Sequence, residues 1–303
     1  MVRLTAYAKH FGLNDPPFGI TPDTSFFFSF GSHLEAFNTL LVAAKSGEGF
    51  IKITGEVGTG KTLLCRQFLK TLGDEFVTAY IPNPFLEPRT LLLAIADDLG
   101  VPQKKSVDEH AVLKAINTRL LEFAQSGKKV LLCIDEAQAL PIETLEAIRL
   151  LSNLETEKRK LLQIVLFGQP ELDRRLARTE IRQLAQRISF HYRLRPLSWD
   201  ESSFYIHHRL RVAGFSQLRL LSHSAMFVLW LGSGGIPRML NILANKAMML
   251  AFGEGKHIVG LKHVWAAIQD TEATPLFKYA NRLFQVVSLG AIAALAYALI
   301  SKS

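Results

Sequence analysis

The sequence predicts an α/β fold: a parallel five-stranded sheet sandwiched by helices, then a small all-helical domain. Three observations carry this. Apolar runs of strand length at 49–54, 76–81, 130–134, 161–167 and 188–194 alternate with stretches of helical periodicity. That alternation makes the strands parallel and puts helices on both faces. From Pro196 the strands stop, and helical stretches at 199–213, 222–231, 237–252 and 260–270 follow between glycine-containing turns. Between the first strand and the next helix stands Gly55-Glu56-Val57-Gly58-Thr59-Gly60-Lys61-Thr62.

That octapeptide matches G-x-x-x-x-G-K-[ST], the phosphate loop of nucleoside triphosphatases, and its context matches as well. Phe50, Ile51 and Ile53 make the preceding strand apolar, and Leu64, Phe68, Leu69 and Leu72 share one face of the following helix. Glycines let the backbone turn its N–H groups inward onto phosphates, and the helix N-terminus adds a favourable dipole. Lys61 is placed to neutralise the β- and γ-phosphates and the Thr62 hydroxyl to hold Mg²⁺. The loop predicts ATP or GTP as the bound nucleotide.

The chain has 303 residues, enough for two domains, and its 49% hydrophobic content argues against disorder. Lys and Arg number 35 against 27 Asp and Glu, a net charge of +8. A positive surface suits nucleic acid, an anionic membrane face or nucleotide phosphates without choosing among them. Cys65 and Cys133, the two cysteines, both fall in apolar runs, so neither a disulfide framework nor a cysteine metal site is expected. The first residues alternate polar and apolar, so no N-terminal signal peptide is expected.

Residues 1–45 are expected to form an N-terminal arm and first helix. Prolines and glycines around Phe11-Gly12-Leu13 and Phe18 break any long helix, leaving turns with aromatic anchors. Phe26, Phe27, Phe28 and Phe30 are too apolar for water and are expected on the core or on the nucleotide base. Ser32 is read as a helix N-cap with Glu35 completing a capping box, and His33 as a capping or surface residue. Further helices are expected near 90–99 and over 108–125. The boundaries then run 46–195 for the nucleotide-binding domain, 196–270 for the helical domain and 271–282 for a linker.

Val130-Leu-Leu-Cys-Ile134 leads directly into Asp135-Glu136. An acid at a strand end can reach the Mg²⁺ of a nucleotide lying across the carboxyl edge of the sheet. Asp135 is assigned to that ion through water, and Glu136 to the attacking water as general base. Gln169, ending the next strand in Phe167-Gly-Gln-Pro170, is a candidate to bind the γ-phosphate or position the water. Arg187, with Arg182 second, is a candidate for the always-charged donor that meets transition-state charge. Arg238 follows Pro237 at a helix start and is a candidate to reach back to the γ-phosphate.

Residues 283–300 hold no charged side chain over 18 positions. At about 1.5 Å per residue they span about 27 Å, close to the hydrocarbon thickness of a bilayer. Lys278 and Arg282 precede the run, which favours a cytoplasmic N-terminal side. The run is read as a transmembrane helix, with Gly290, Ala294 and Ala298 as a stripe for packing another helix.

Taken together these motifs resemble the AAA+ ATPases. The arm (Phe11–Leu13, Pro17-Phe18, Thr21–Asp23), His33-Leu-Glu-Ala36 and Gly168-Gln-Pro-Glu-Leu172 resemble the general secretion pathway protein A (ExeA) family in particular. The resemblance covers about residues 5–270. It implies ATP and Mg²⁺ as cofactors, Gln169 as first sensor, Arg187 as an arginine finger for the neighbouring subunit, and Arg238 as second sensor. It also implies self-association into a hexameric, nucleotide-dependent ring. The implied role is a bacterial inner-membrane ATPase, its ATPase domain cytoplasmic, serving pilus or secretion proteins. ExeA continues into a peptidoglycan-binding domain, whereas this sequence stops at Ser303, so action at the wall would go through a partner. The competing reading is a DNA-associated regulatory ATPase of the transposition-adaptor class, with Lys158-Arg159-Lys160 and the arginines from 174 to 187 on nucleic acid.

Overall fold

The computed structural model describes residues 7–28, 30–82, 85–102, 108–156, 159–217 and 219–272. They form two compact units, divided so that residues 22–195 make one and residues up to 21 join those from 196 onward in the other. The expected arm and first helix are therefore shared between the units.

The first unit is built on five parallel strands: β1 (Phe50–Gly55), β2 (Phe76–Ile81), β3 (Lys129–Ile134), β4 (Leu162–Gly168) and β5 (Phe190–Leu194). Their order is β2-β3-β4-β1-β5, so β4 lies between β3 and β1. Thr54 is level with Gly168, Ile134 with Leu166, and Gly55 with Leu194. The carboxyl ends of β1, β3, β4 and β5 thus come out side by side, the edge where open α/β sheets bind ligands.

Helices α1 (Gly31–Ser46) and α2 (Lys61–Thr71) cover one face. There Leu40, Ala43 and Ala44 of α1, and Leu64, Cys65 and Phe68 of α2, pack on Ile51, Ile53, Leu131, Cys133, Val165 and Phe167. The other face is covered by α3 (Pro88–Asp98), α4 (Glu109–Gln125), α5 (Ile142–Leu151), α6 (Glu171–Leu176) and α7 (Arg182–Ala185). Both faces being covered explains why the strands read as apolar runs instead of alternating ones. Burying each large aliphatic side chain contributes about 1.5–3 kcal/mol, so these two faces carry the sheet. Cys65 and Cys133 are buried free thiols on the first face.

Local chemistry sets the helix limits. Gly47, at φ 82°, closes α1 in the left-handed conformation, with its N–H on the Ala43 carbonyl. Pro88 starts α3 at a position where its missing N–H costs nothing, and the Asp108 side chain caps α4 through Ala111 N–H at 2.7 Å. The capping box expected at Ser32 does not form. The N-cap of α1 is Phe30, Ser32 lies inside the helix fully buried, and the Glu35 carboxylate instead accepts the Tyr192 hydroxyl of β5 at 2.5 Å.

The second unit holds α8 (Trp199–Val212), α9 (His223–Ser233), α10 (Pro237–Gly253) and α11 (Leu261–Gln269). Ser198 and Glu201 form a capping box at the start of α8. The arm folds onto these helices: Tyr7, Phe11, Leu13 and Phe18 are buried, Asn14 N–H donates to Ala213 O at 2.8 Å, and Arg209 donates to Pro17 O. The segment 273–303, with the apolar run 283–300, lies outside the described residues. Among those described, no helix is long and apolar enough to cross a membrane.

Candidate active site

The phosphate loop leaves β1 at Gly55, where a side chain is excluded. A Cβ there would stand 2.8 Å from Thr59 Oγ1 and 3.0 Å from Leu194 Cβ. Gly58 and Gly60 take φ values of 83° and 96°, open to glycine at little cost. Lys61, the first residue of α2, is 4% exposed. Its Nζ donates to Gly55 O at 2.8 Å and Glu56 O at 3.0 Å. Burial lowers the Lys61 pKa from its ordinary value, opposed by the carboxylates of Glu136, Asp135, Glu56 and Glu171.

Asp135 follows directly on β3 and meets Thr62 of α2 at the sheet edge. The Thr62 hydroxyl donates to Asp135 Oδ2 at 2.6 Å, and Glu136 N–H donates to Oδ1 at 2.9 Å. Those two oxygen groups fit Mg²⁺, a hard cation usually held by one or two carboxylates plus substrate phosphates. Among the described residues no cluster of three or more His, Cys, Asp or Glu offers a fuller metal cage, and such a Mg²⁺ needs none. Burial is the largest influence on Asp135 and raises its pKa, opposed by the Thr62 hydroxyl and the Glu136 N–H.

This raised pKa has a consequence for stability. The folded state binds the Asp135 proton more tightly than the unfolded chain does, so protonation favours folding. The nucleotide-free protein should lose this component of stability as pH rises from below the ordinary carboxylate value to above the raised one. Melting temperature against pH checks it: Asp135→Asn should remove that part of the slope, and an unchanged slope would contradict the assignment.

Glu136 is the only non-glycine residue with positive φ (52°) among those described. Such a backbone costs about 1–3 kcal/mol and persists where the surroundings over-determine it. Here the restraints are visible. Gln138 Nε2 donates to Glu136 Oε2 at 2.6 Å, and Gln169 Nε2, from the end of β4, donates to the same oxygen at 3.1 Å. Gln138 Oε1 in turn accepts Gln169 N–H at 2.9 Å, and Arg175 of α6 donates to Gln138 O. Two amides thus hold Oε2, which points the other carboxylate oxygen away from them as the free acceptor. Gln169 touches the Glu136 carboxylate itself, a placement that the sequence, offering it to the γ-phosphate or the water, did not show.

The arginines separate. Arg187 Nη1 donates to Ser152 Oγ at 2.9 Å at the end of α5, whereas Arg182 is exposed and its side chain makes no hydrogen bond or ion pair among the described residues. Arg238 is exposed on the first turn of α10, in the helical unit. Its turn is fixed by Gly235, whose added Cβ would lie 2.1 Å from Leu197 O. Two further residues enter the site: Gln138, left without a role by the sequence, and His33, whose ring Nε2 lies 2.7 Å from Thr59 O. His33 is 6% exposed, which corrects its reading as a surface or capping residue. The sequence traces of them are the motif His33-Leu-Glu-Ala36 and the place of Gln138 two residues after Glu136.

A phosphate loop, a strand-end Asp-Glu pair and an amide from the neighbouring strand, on a sheet of this order, define a P-loop ATPase domain. Residues 44–176 match the AAA domain family, the same class. The chain is 43% identical over 251 residues to general secretion pathway protein A of Aeromonas hydrophila, a match covering 83% of this chain and 46% of that protein. It thus spans about half the length of this relative. Among solved structures, the Aeropyrum pernix ORC2 protein in its ADPNP–ADP complexes superposes with a TM-score of 0.62 at 18% identity, over 81% of this chain and 68% of that one. The Aeropyrum pernix ORC1 protein in complex with DNA gives 0.60 at 19% identity, over 83% and 68%. The RuvB motor of Thermotoga maritima gives 0.51 at 16%, over 78% and 67%. At such identities these likenesses speak for the fold alone.

Proposed function

We propose that this chain is a membrane-anchored ATPase that hydrolyses Mg·ATP to drive or regulate assembly of a type IV pilus or secretion apparatus. The observation that carries the chemistry is the convergence of Thr62, Asp135, Glu136 and Gln169 at neighbouring strand ends. The likeness to general secretion pathway protein A supports the setting. Within that family the reading is the MshM type, serving the mannose-sensitive haemagglutinin pilus.

In this mechanism the loop amides and the Lys61 ammonium bind and orient the phosphates. Thr62 and, through water, Asp135 would hold Mg²⁺, which would supply positive charge against the phosphates. Glu136 takes a proton from the attacking water through its free oxygen as the oxygen–phosphorus bond forms and the β–γ bridge breaks. ADP and phosphate leave. An arginine from a neighbouring copy in a ring, proposed as hexameric, meets the developing charge. Arg182 now suits that role better than Arg187, because the guanidinium of Arg187 is already bound to its own chain. Arg238, on the first turn of α10, is the proposed second sensor of nucleotide state.

Anchoring through residues 283–300 puts the ATPase domain on the cytoplasmic side of the inner membrane. Flotation with vesicles of bacterial lipid tests it: the full chain should float and a chain ended at Asp270 should not. A full chain that stays soluble without detergent and does not float would refute the anchor. The DNA-associated reading has less to stand on. Of its basic run, Lys158 lies outside the described residues, Arg159 donates to Ala124 O and Lys160 pairs with Glu155.

A further inference from the structure

We propose that His33 is a positioning residue of the nucleotide site: it fixes the Thr59–Gly60 peptide so that the loop presents its N–H groups to phosphate. The inference rests on the nucleotide-site reading above and adds a residue to it. His33 lies on α1, ahead of the residues 44–176 that match the AAA domain.

The geometry starts from one bond. His33 Nε2 stands 2.7 Å from Thr59 O, and because a carbonyl oxygen only accepts, the proton is on Nε2. In a trans peptide the C=O and the following N–H point in opposite directions. Drawing Thr59 O toward α1 therefore turns Gly60 N–H the other way. Gly60, at φ 96°, is a residue with many backbone states to lose, so an outside restraint has much to do there. The ring is close enough that a Cβ on Gly60 would lie 3.3 Å from Nε2.

Competition for the other loop carbonyls makes this bond distinctive. Gly55 O and Glu56 O accept Lys61 Nζ, and Glu56 O also accepts Thr59 Oγ1 at 2.9 Å. Phosphate claims the Lys61 ammonium, so nucleotide binding draws it off both carbonyls. His33 has no such conflict, since its acceptor lies on the opposite side of the peptide from the N–H that phosphate uses. The platform behind it is firm: Leu40, Ala43 and Ala44 of α1 are fully buried on the sheet, and Glu35 is tied to Tyr192 of β5. α1 thereby belongs to the nucleotide site as well as to the core.

The test is calorimetric titration of the full chain, in detergent, with Mg·ATP and Mg·ADP. His33→Asn keeps a polar side chain too short to reach Thr59 O, and His33→Leu keeps bulk without a donor. His33→Gln places an N–H near the position of Nε2. We expect His33→Asn and His33→Leu to bind both nucleotides about ten-fold more weakly, with His33→Gln within about twofold of the unmodified chain. Should His33→Leu not fold, the Asn and Gln pair carries the comparison. Unchanged affinity in His33→Asn, or His33→Gln as weak as His33→Asn, would overturn the role assigned to the N–H. An unmodified chain that binds neither nucleotide would instead overturn the nucleotide-site reading.

Discussion

Glu136→Gln should bind Mg·ATP with the affinity of the unmodified chain and release phosphate about 10²–10⁴-fold more slowly, the range set by losing a positioned base. The substitution is nearly isosteric, so the amide oxygen can still accept from Gln138 and Gln169 where Glu136 Oε2 does now. The Asp135–Thr62 pair, which does not involve the Glu136 side chain, stays as it is. What changes is the other end of the group: an amide nitrogen replaces the free carboxylate oxygen and takes no proton from water. Phosphate release and nucleotide titration on the same preparation check it. Undiminished release would remove Glu136 from the role of base.

Lys61→Ala should weaken Mg·ATP binding by about 100-fold, since charge-assisted hydrogen bonds to ionised groups are the strong ones. Two effects add. The phosphates lose their nearest buried ammonium, and Gly55 O and Glu56 O lose the donor that orders the loop before phosphate arrives. Stability should move the other way. Burial holds the Lys61 pKa below its ordinary value, so the charged form is held against a desolvation cost that alanine does not carry. The nucleotide-free variant is therefore expected to melt no lower than the unmodified chain, and its melting point is expected to rise less at the same Mg·ATP concentration. Titration and melting curves with and without nucleotide check both parts, and a variant that binds Mg·ATP normally would place the phosphates elsewhere.

Much of the fold was legible because the strands are buried on both faces. Each of the five apolar runs is a strand, with ends shifted by no more than two residues, and the four helical stretches after Pro196 became α8 to α11. The phosphate loop and the Asp-Glu pair were legible because their chemistry is local to a few consecutive residues. α5 was not placed in advance. Leu145, Ile148 and Leu151 have helical spacing, but Thr144 and Ala147 are buried too, so the apolar stripe is broad and blurred. What could not be read locally were the tertiary partners. Glu35 looked like a capping residue because Tyr192 is 157 positions away, and the bond from Arg187 to Ser152 could not be foreseen because Ser152 lies 35 positions away, just past α5. His33 and Gln138 illustrate the same limit: their contacts depend on the loop conformation and on the positive φ of Glu136, neither of which the residue types disclose.

The most direct measurement of the central claim is phosphate release from Mg·ATP by the full chain in detergent, per subunit, across a wide range of protein concentration. A hydrolytic site completed by an arginine from a neighbouring copy predicts turnover that rises with concentration to a plateau and falls away in Glu136→Gln and Arg182→Ala. No release at any concentration, from protein that titrates normally with Mg·ATP, would contradict it and leave a nucleotide-switched scaffold in its place.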